Sequence, residues 1–323
     1  EVKPGQVLVK IEYVGVCGSD IHFFMDGHIA DYWVEGDFIL GHESAGTVTA
    51  VAGDVTSLKV GDRVAIEPGS TCGECEYCKT GVYNLCPDVV FMATPPVQGA
   101  FTNYVAWPAN FCFKLPDNVS TLEGALIEPL SVGLEASSIG GVKLGDSIAI
   151  FGSGCIGLCT LLAAKAKGAT EIIVVDVIEK RLQKAKELGA TKIINAKRED
   201  PIAAIMEYTN GEGADIAAET AGNSITLKQT VDAVKRGGRI VIVGMGGEAE
   251  VNFNFEKLMW KVVSIGTVFR YKNQYPVAID AVAHGIIDVK QIVTGEYGFK
   301  DIAEAFETNI NNKDEVVKLV IKM

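Results

Sequence analysis

The pattern of hydrophobic and polar positions divides the chain into two parts. Up to about Leu122 the sequence consists of short runs with strand-like alternation, broken by Gly, Pro and Asp, such as Ala45–Ala52 and Asp62–Ile66. Such runs, with little helical periodicity, predict an irregular β-rich domain. The chain opens on another strand-like run, Val7–Tyr13, without a natural start before it, so we expect a preceding segment to be missing.

From Glu123 to about Thr267 the pattern changes to short apolar strands that alternate with amphipathic helices. This alternation is typical of a parallel sheet with helical crossovers, and six such strands fit a doubly wound dinucleotide-binding domain. A helix near Pro276–Gly285 and a terminal apolar run, Val316–Ile321, follow, and the run is expected to return to the first domain. The six predicted strands are 147–151, 171–175, 192–194, 214–219, 239–243 and 262–265.

The sequence therefore predicts an α/β fold of two domains. A doubly wound Rossmann domain is expected at residues 124–266, and an irregular β-rich domain at residues 1–123 and 267–323. A length of 323 residues exceeds the usual size of one hydrophobic core, and 48% hydrophobic residues suffice for two.

Charge and hydropathy exclude some partners. Acidic residues outnumber basic ones by 41 to 29, and a net charge of −12 argues against binding to nucleic acid. No apolar run is long enough to span a bilayer, and no secretory signal pattern opens the chain. We therefore expect a soluble, cytoplasmic protein with no membrane partner.

Four of the eight cysteines lie close together, at Cys72, Cys75, Cys78 and Cys86. Four thiolates at this spacing can surround a tetrahedral zinc and leave no coordination position open for a reaction. Clustering of this kind in a large cytosolic chain favours a metal over disulfides. The spacing thus predicts a structural zinc site, with free or paired thiols and an iron–sulfur cluster as the alternatives.

A glycine-rich turn follows the first predicted strand of the Rossmann domain. Gly152 permits the tight turn, Gly154 lets the backbone approach a pyrophosphate, and Gly157 lets helix and strand pack closely. Asp176, at the end of the next strand, can accept hydrogen bonds from ribose hydroxyls and would repel a ribose phosphate, which favours NAD over NADP. The alternative is that Asp176 only caps the turn into the following helix.

Zinc-binding residue types also occur outside the cysteine cluster. Cys17 lies in a predicted loop, and His42 and Glu43 follow a short apolar run. Thiolate, imidazole and carboxylate are all competent zinc ligands. On these residues alone, a buried structural cysteine and an ordinary surface histidine explain the pattern equally well.

Several motifs together resemble the sorbitol (polyol) dehydrogenases, which belong to the zinc-containing medium-chain dehydrogenases. The likeness extends from the first strand to the last, and the order and spacing of so many motifs are more specific than any one of them. The motifs are Cys17-Gly-Ser-Asp-Ile-His, Gly41-His-Glu, the four-cysteine cluster, Ala93-Thr-Pro-Pro, Lys114-Leu-Pro-Asp-Asn-Val, Gly124-Ala-Leu-Ile-Glu-Pro-Leu-Ser-Val-Gly and Val268-Phe-Arg-Tyr.

This resemblance implies an activity and a site. The β-rich part becomes a GroES-like catalytic domain, in which Cys17, His42 and Glu43 ligate a catalytic zinc. Glu128 stands where general alcohol dehydrogenases usually supply a second cysteine, and it either ligates the metal occasionally or holds its water. Zinc would then act as a Lewis acid in oxidation of a secondary alcohol, and NAD would accept the hydride.

The resemblance also assigns proton-transfer and substrate residues. Ser19 and His22 match positions that relay the alcohol proton to solvent, although either fits an ordinary loop residue. Arg270 and Tyr271 match residues that contact polyol hydroxyls, and the alternative is an Arg exposed on a loop. Phe23 stands where many relatives place a substrate-contacting tyrosine, so chain-length and stereochemical preference are open.

Further cofactor contacts follow from the same likeness. Arg181 also fits an amphipathic helix whose charges face water, and Cys155, Cys159 and the three tryptophans, Trp33, Trp107 and Trp260, are interpreted as packing residues. The remaining cofactor positions carried over are Ile156, Val243, Gly244, Met245, Val268, Phe269 and Arg270.

The prediction is therefore a zinc- and NAD-dependent dehydrogenase that converts sorbitol, xylitol or a similar polyol into a ketose. The family habit implies a homo-oligomer, a dimer or tetramer. One alternative is another zinc enzyme of the superfamily, such as a threonine or simple alcohol dehydrogenase. A second is a catalytically silent nucleotide-binding or structural protein, although such a scaffold would not need an open metal site.

Overall fold

The structure is a computed structural model that describes residues 2–246 and 250–323. The chain forms two compact units. The first extends to Glu128 and resumes at Lys272–Met323, and the second is Pro129–Tyr271. The sequence placed the two breaks a few residues earlier, after positions 123 and 266.

The described residues form strands in both units. In chain order they are β1 Gln6–Gly15, β2 His28–Ile29, β3 Tyr32–Trp33, β4 Glu43–Val51, β5 Arg63–Ile66, β6 Gly69–Ser70, β7 Val90–Phe91, β8 Tyr104–Pro108, β9 Cys112–Lys114, β10 Ser147–Phe151, β11 Glu171–Asp176, β12 Lys192–Asn195, β13 Ala214–Glu219, β14 Val234–Ile242, β15 Ser264–Thr267, β16 Val293–Gly298 and β17 Lys318–Lys322.

Helices separate many of these strands. They are α1 Gly18–Asp26, α2 Glu76–Lys79, α3 Thr121–Ile139, α4 Cys155–Ala166, α5 Glu179–Leu188, α6 Pro201–Tyr208, α7 Ser224–Ala233, α8 Phe255–Lys261, α9 Gln274–Ala283 and α10 Ile302–Asn311, with short 3₁₀ turns at Tyr83–Leu85, Ala109–Phe111, Val289–Ile292 and Phe299–Asp301.

A seven-stranded, mainly antiparallel sheet forms the centre of the first unit. Its strand order is β16-β17-β1-β4-β5-β9, with β8 also paired to β1. Alternate residues of β1, including Val7, Val9 and Ile11, are fully buried, as expected for a strand with one face on the core. The terminal strand β17 pairs antiparallel with β1, so the last apolar run returns to this sheet as predicted.

The second unit contains a six-stranded parallel sheet of order β12-β11-β10-β13-β14-β15. Its strands are nearly continuous apolar runs because a parallel sheet with helical crossovers is covered on both faces. From β10 the chain adds β11 and β12 on one side of the sheet, and then β13, β14 and β15 on the other side. The switch point of this doubly wound fold therefore lies between β10 and β13. The predicted α/β class, with one Rossmann unit and one β-rich GroES-like unit, is confirmed.

Two local predictions were wrong and one was incomplete. The last strand of the parallel sheet was predicted from Val262, but Val262 has φ 54° and ends α8, so β15 begins two residues later. Cys17 lies in a loop as predicted, but that loop ends there, because Gly18–Asp26 form α1 with Cys17 as the N-cap. Trp33 and Trp260 are 60% and 71% exposed rather than part of a core, and the Trp33 ring stacks on His28 with 4.0 Å between ring centroids. Trp107 is buried and donates to the carbonyl of Glu67 over 2.9 Å.

The start of β15 was misplaced because α8, with seven residues, is too short to show a clear apolar period in the sequence.

No helix in the described ranges is long and apolar enough to cross a membrane.

Candidate active site

Strand pairing brings the candidate ligands of the first unit together. β1 and β4 run antiparallel, and Gly15 at the end of β1 is paired with Glu43 at the start of β4. Cys17 follows the end of β1, and His42 precedes β4, so both reach the same end of the sheet. One ligand atom of each of Cys17, His42 and Glu43 lies within 4.8 Å of the others.

A buried carboxylate holds the two ligand segments in place. Asp20 is 1% exposed and accepts hydrogen bonds from the backbone of Cys17 at 2.9 Å and of Gly41 at 2.8 Å. The same side chain lies 3.9 Å from His42 Nδ1. Groups that orient metal ligands in this way determine the geometry of a site. Sequence reasoning missed Asp20, although an acidic residue three positions after an N-cap is a recognisable capping signal.

Glu43 has a second neighbour that the sequence did not reveal. Lys318 Nζ lies 2.7 and 2.8 Å from the two carboxylate oxygens of Glu43, and it also donates to the carbonyl of Val16. Both side chains are almost fully buried, at 2% and 1% exposure. A β-carbon on Gly15 would lie 2.0 Å from Glu43 Oε2, so glycine is required there. The only signal in the sequence was a lysine inside an apolar terminal strand.

The electrostatics of this cluster favour a cation. Burial alone would lower the pKa of His42, but the neighbouring Cys17, with Asp20 and Glu128, raises it to about 10. Burial raises the pKa of Asp20. Several acidic groups around one imidazole in a buried position are the surroundings in which a divalent metal replaces a proton.

Glu128 belongs to helix α3 and is buried. It influences His42 electrostatically, but it is not in the group of described side chains whose ligand atoms lie within 4.8 Å of one another. A carboxylate close to a metal site without belonging to its compact ligand group suits a role towards bound water or substrate.

The predicted relay residues lie on α1. Ser19 is partly exposed, and His22 is exposed with Nδ1 3.2 Å from Asp26 Oδ2. Phe23 is buried, with its ring centroid 6.2 Å from that of Phe38. The helix thus turns Phe23 inward and His22 toward water.

The four-cysteine cluster, here called the cysteine lobe (residues 72–86), is folded around its own sulfur atoms. The Sγ–Sγ distances are 3.4 Å for Cys75–Cys78, 3.6 Å for Cys72–Cys86 and 3.9 Å for Cys72–Cys78. A tetrahedral zinc with bonds of ~2.3 Å spaces its sulfurs by ~3.8 Å, so the thiols fit that ion. A hydrogen bond from Thr71 lowers the pKa of Cys78 to about 7, and all eight cysteines are free thiols.

The glycine-rich turn of the second unit is tight at Gly152 and closely packed at Gly157, as predicted from the sequence. Gly152 has φ 101°, and a β-carbon on Gly157 would lie 2.0 Å from the Gly152 carbonyl oxygen. Gly154 is the N-cap of α4, next to Ile156 in its first turn. In general, the backbone N–H groups in the first turn of a helix are donors suited to an anion. Arg181 on α5 reaches the same turn, since a β-carbon on Gly154 would lie 3.9 Å from its Nη1.

Asp176 makes local contacts at the end of β11. Its Oδ2 accepts from Ser153 N at 2.6 Å and Ser153 Oγ at 2.8 Å, and its Oδ1 accepts from the backbone of Val177 and Ile178 at 2.7 and 2.9 Å. The carboxylate therefore caps the turn, as the alternative interpretation held, and also joins it to the glycine-rich loop.

The other predicted cofactor positions follow neighbouring strands of the same sheet. Val243 N and Gly244 N donate to the carbonyl of Glu219 after β14, and Met245 is exposed. Val268 N donates to Ile242 after β15, followed by exposed Phe269.

The next two residues, Arg270 and Tyr271, carry the predicted substrate contacts. Arg270 has φ 57° and its guanidinium carbon lies 4.7 Å from the Phe269 ring centroid, while Tyr271 is buried.

The Cys17–His42–Glu43 cluster of the GroES-like unit and the glycine turn of the Rossmann unit together indicate the class of protein, a metal-dependent dehydrogenase. Residues 3–117 match the alcohol dehydrogenase GroES-like domain, and residues 155–284 match the zinc-binding dehydrogenase family. The chain belongs to the zinc-type alcohol dehydrogenase family and is an oxidoreductase that acts on CH–OH groups. The resemblance seen in the sequence is thereby confirmed.

Individual relatives support this assignment. An Escherichia coli K12 protein described as an uncharacterised zinc-type alcohol dehydrogenase-like protein is 52% identical over 99% of this chain and 92% of its own. Sorbitol dehydrogenase from Bacillus subtilis is 46% identical over 99% of this chain and 91% of its own. The crystal structure of an Escherichia coli oxidoreductase/dehydrogenase of unknown specificity superimposes with a TM-score of 0.96 at 52% identity, covering 100% and 93% of the two chains.

Proposed function

We propose that the chain oxidises a polyol such as sorbitol or xylitol to the matching ketose, with NAD as the hydride acceptor. The observation that carries this proposal is the compact group of half-buried Cys17 with buried His42 and Glu43, next to which Glu128 acts electrostatically on His42. The chain is similar along its whole length to sorbitol dehydrogenase. The zinc-type family is established, and the polyol, the cofactor and the individual site residues are the proposed part.

The donor set fits zinc. Cys17, His42 and Glu43 offer sulfur, nitrogen and oxygen, which are the three ligand types of catalytic zinc sites. When bound, zinc supplies Lewis acidity that makes an alcohol hydroxyl easier to deprotonate. Lys318 balances one negative charge of the ligand set, and Asp20 keeps the two ligand segments in register. We assign a second, structural zinc to the cysteine lobe.

The chain's own groups supply the remaining steps. To Ser19 and His22, a partly exposed hydroxyl and an exposed imidazole one helical turn apart, we assign the transfer of the alcohol proton toward solvent. Arg270 and Tyr271 donate hydrogen bonds to the polyol hydroxyls, and Phe23 contributes apolar contact in place of a hydroxyl. Glu128 orients the water or hydroxyl beside the metal.

NAD rather than NADP is proposed because Asp176 places a negative charge at the end of β11, where the ribose of a bound dinucleotide lies in this fold. Gly152, Gly154, Ile156, Gly157 and Arg181 form the pyrophosphate side. Val243–Met245 and Val268–Arg270 form the opposite side of the cofactor site.

We further propose a homo-oligomer, with a tetramer as the working hypothesis, located in the cytoplasm. Within the described residues β15 is the outer strand of its sheet, and exposed Met259, Trp260, Val262 and Ile265 lie on or next to it. An open strand edge with apolar side chains favours association with a second copy. None of the eight cysteines, all of which lie in the described residues, is in a disulfide, which is typical of a reducing compartment.

The test is a substrate panel. Purified protein is given NAD or NADP with sorbitol, xylitol, threonine and simple secondary alcohols, and reduced cofactor is followed before chelation, after chelation and after zinc is restored. Polyol turnover that needs zinc and prefers NAD supports the proposal. Oxidation of threonine or simple alcohols in place of polyols by zinc-loaded protein would contradict it and favour another dehydrogenase of the family.

A further inference from the structure

A hydrogen-bonded tie joins the cysteine lobe to the turn that precedes α9. Asn273 N donates to the hydroxyl of Tyr83 at 2.8 Å, and Asn273 Nδ2 donates to the carbonyl of Gly81 at 3.0 Å. Tyr83 and Gly81 both lie between the third and fourth cysteines of the lobe. The backbone of one turn is thus held by a lobe almost two hundred residues earlier in the chain.

The tie continues to the end of strand β5. The Tyr83 hydroxyl donates to Glu67 Oε1 at 2.9 Å, so it accepts one hydrogen bond and donates another. Tyr275, which is 1% exposed, donates to the carbonyl of Ile66 at 2.8 Å. Two tyrosines therefore join this part of the chain to two neighbouring residues, Tyr275 to the backbone of Ile66 at the end of β5 and Tyr83 to the side chain of Glu67.

The segment 270–273, which ends at the anchored Asn273, contains positive φ angles. Arg270 and Asn273 have φ of 57° and 56°, in the left-handed region that an Asn tolerates but an Arg rarely adopts. Such conformations persist only where surrounding contacts impose them, and they concentrate at binding and catalytic sites. The Tyr83 tie supplies contacts of this kind at Asn273.

We propose that Tyr83 is a positioning residue for substrate recognition. Its hydroxyl fixes the backbone of Asn273. Because Arg270 and Tyr271 lie only three and two residues earlier, this anchor also restricts their backbone positions. The cysteine lobe thereby contributes to substrate affinity in addition to stability. This inference rests on the proposed function, because it gives Arg270 and Tyr271 the substrate contacts.

The primary test is Tyr83→Phe, assayed with the best substrate of the panel. Loss of the hydroxyl removes the anchor of the Asn273 backbone, and we expect the substrate KM to rise about 3- to 10-fold, as for one or two lost hydrogen bonds. The kcat should change less than about twofold, since a raised KM with an unchanged kcat reports the loss of binding that is equal in the ground state and the transition state. Tyr77→Phe, which removes an exposed hydroxyl from the same lobe, is the matched control and should match the wild type.

Two more variants test whether the rise in KM depends on the Glu67 carboxylate or on the anchoring of Asn273. Glu67→Gln keeps an acceptor for Tyr83 but removes the charge, so it should leave the KM within about twofold of the wild type. Asn273→Gly keeps the backbone N–H and tolerates positive φ but loses the bond to Gly81, so its KM should lie between those of the wild type and Tyr83→Phe. A KM rise in Glu67→Gln equal to that in Tyr83→Phe would overturn the inference, because the effect would then pass through the carboxylate.

Hydrogen exchange of the Asn273 amide tests the tie without substrate. Exchange should be faster in Tyr83→Phe and unchanged in Tyr77→Phe, and equal rates in all three proteins would contradict the inference. Arg270→Ala separates the two proposals. If it raises the KM while Tyr83→Phe does not, positioning by Tyr83 fails and the substrate role of Arg270 stands. If Arg270→Ala has no effect, both fail.

Discussion

The two candidate metal clusters are assembled in opposite ways. The cysteine lobe takes all its ligands from Cys72–Cys86, one short stretch that folds on itself. The buried cluster takes Cys17 from the end of β1 and His42 and Glu43 from the start of β4, and the sheet brings them together. Loop closure over a few residues costs little entropy, so the lobe needs little from the rest of the fold, whereas the buried cluster depends on strand pairing.

The surroundings of the two clusters also differ. The lobe is largely exposed and its ligands are all thiols, which close a tetrahedral site. The buried cluster mixes ligand types and is surrounded by Asp20, Lys318 and Glu128. The comparison indicates that the first cluster serves stability and the second serves chemistry.

The largest expected effect comes from His42→Ala. Removing a ligand of the buried cluster should lower turnover by at least about 100-fold, since loss even of groups that only orient ligands costs 10- to 100-fold. Initial rates with zinc added in excess, together with zinc content, measure the effect. His284→Ala, a change at an exposed histidine bonded to the Asp280 carbonyl, is the control and should keep wild-type rates. Equal activity of the two variants would remove the chemical role of the buried cluster.

The next effect is on stability. Cys78→Ser should remove one zinc per chain and lower the Tm by roughly 10 °C, because structural metal binding contributes directly to folding free energy. Differential scanning calorimetry with metal analysis follows both quantities. The kcat at low temperature should fall far less than in His42→Ala. An unchanged Tm with unchanged zinc content would show that the lobe is not a metal site.

Lys318→Met tests the buried ion pair. In the zinc-free protein, removing Lys318 leaves the Glu43 carboxylate buried without a counter-charge, which costs about 3–5 kcal/mol of unfolding free energy. Lys184→Met breaks an exposed pair with Glu187 at 2.8 Å and should cost less than about 0.5 kcal/mol. Chemical denaturation of both proteins decides between them, and similar losses would mean that burial does not distinguish these pairs.

The smallest expected effect is a pH dependence of zinc affinity. In the metal-free protein the surrounding acidic groups raise the pKa of His42 to about 10, so the imidazole carries a proton at neutral pH. Zinc must displace that proton, and its affinity should therefore rise about tenfold per pH unit from pH 7 to 9. Competition with a chelator in the Cys78→Ser protein isolates the buried site. A flat profile over this range would mean that His42 is not a ligand there.

Much of the fold could be read from local patterns. Buried apolar runs such as Ser147–Phe151 and Glu171–Asp176 were predicted within a residue because a parallel strand covered on both faces has no polar alternation. α1 and α8 were not recognised, since nine and seven residues give too few turns for a clear period. The exposed tryptophans were misjudged because hydrophobicity indicates burial only on average.

By itself the sequence determined what is local: the spacing of the four cysteines, the glycine turn with Asp176 after the next strand, and the β-rich and alternating halves of the chain. Tertiary structure alone decided which distant residues meet. Lys318 lies 275 positions from Glu43, and Tyr83 lies 190 positions from Asn273. Such pairs leave no spacing in the sequence, because strand pairing and turn geometry create contacts at any separation along the chain.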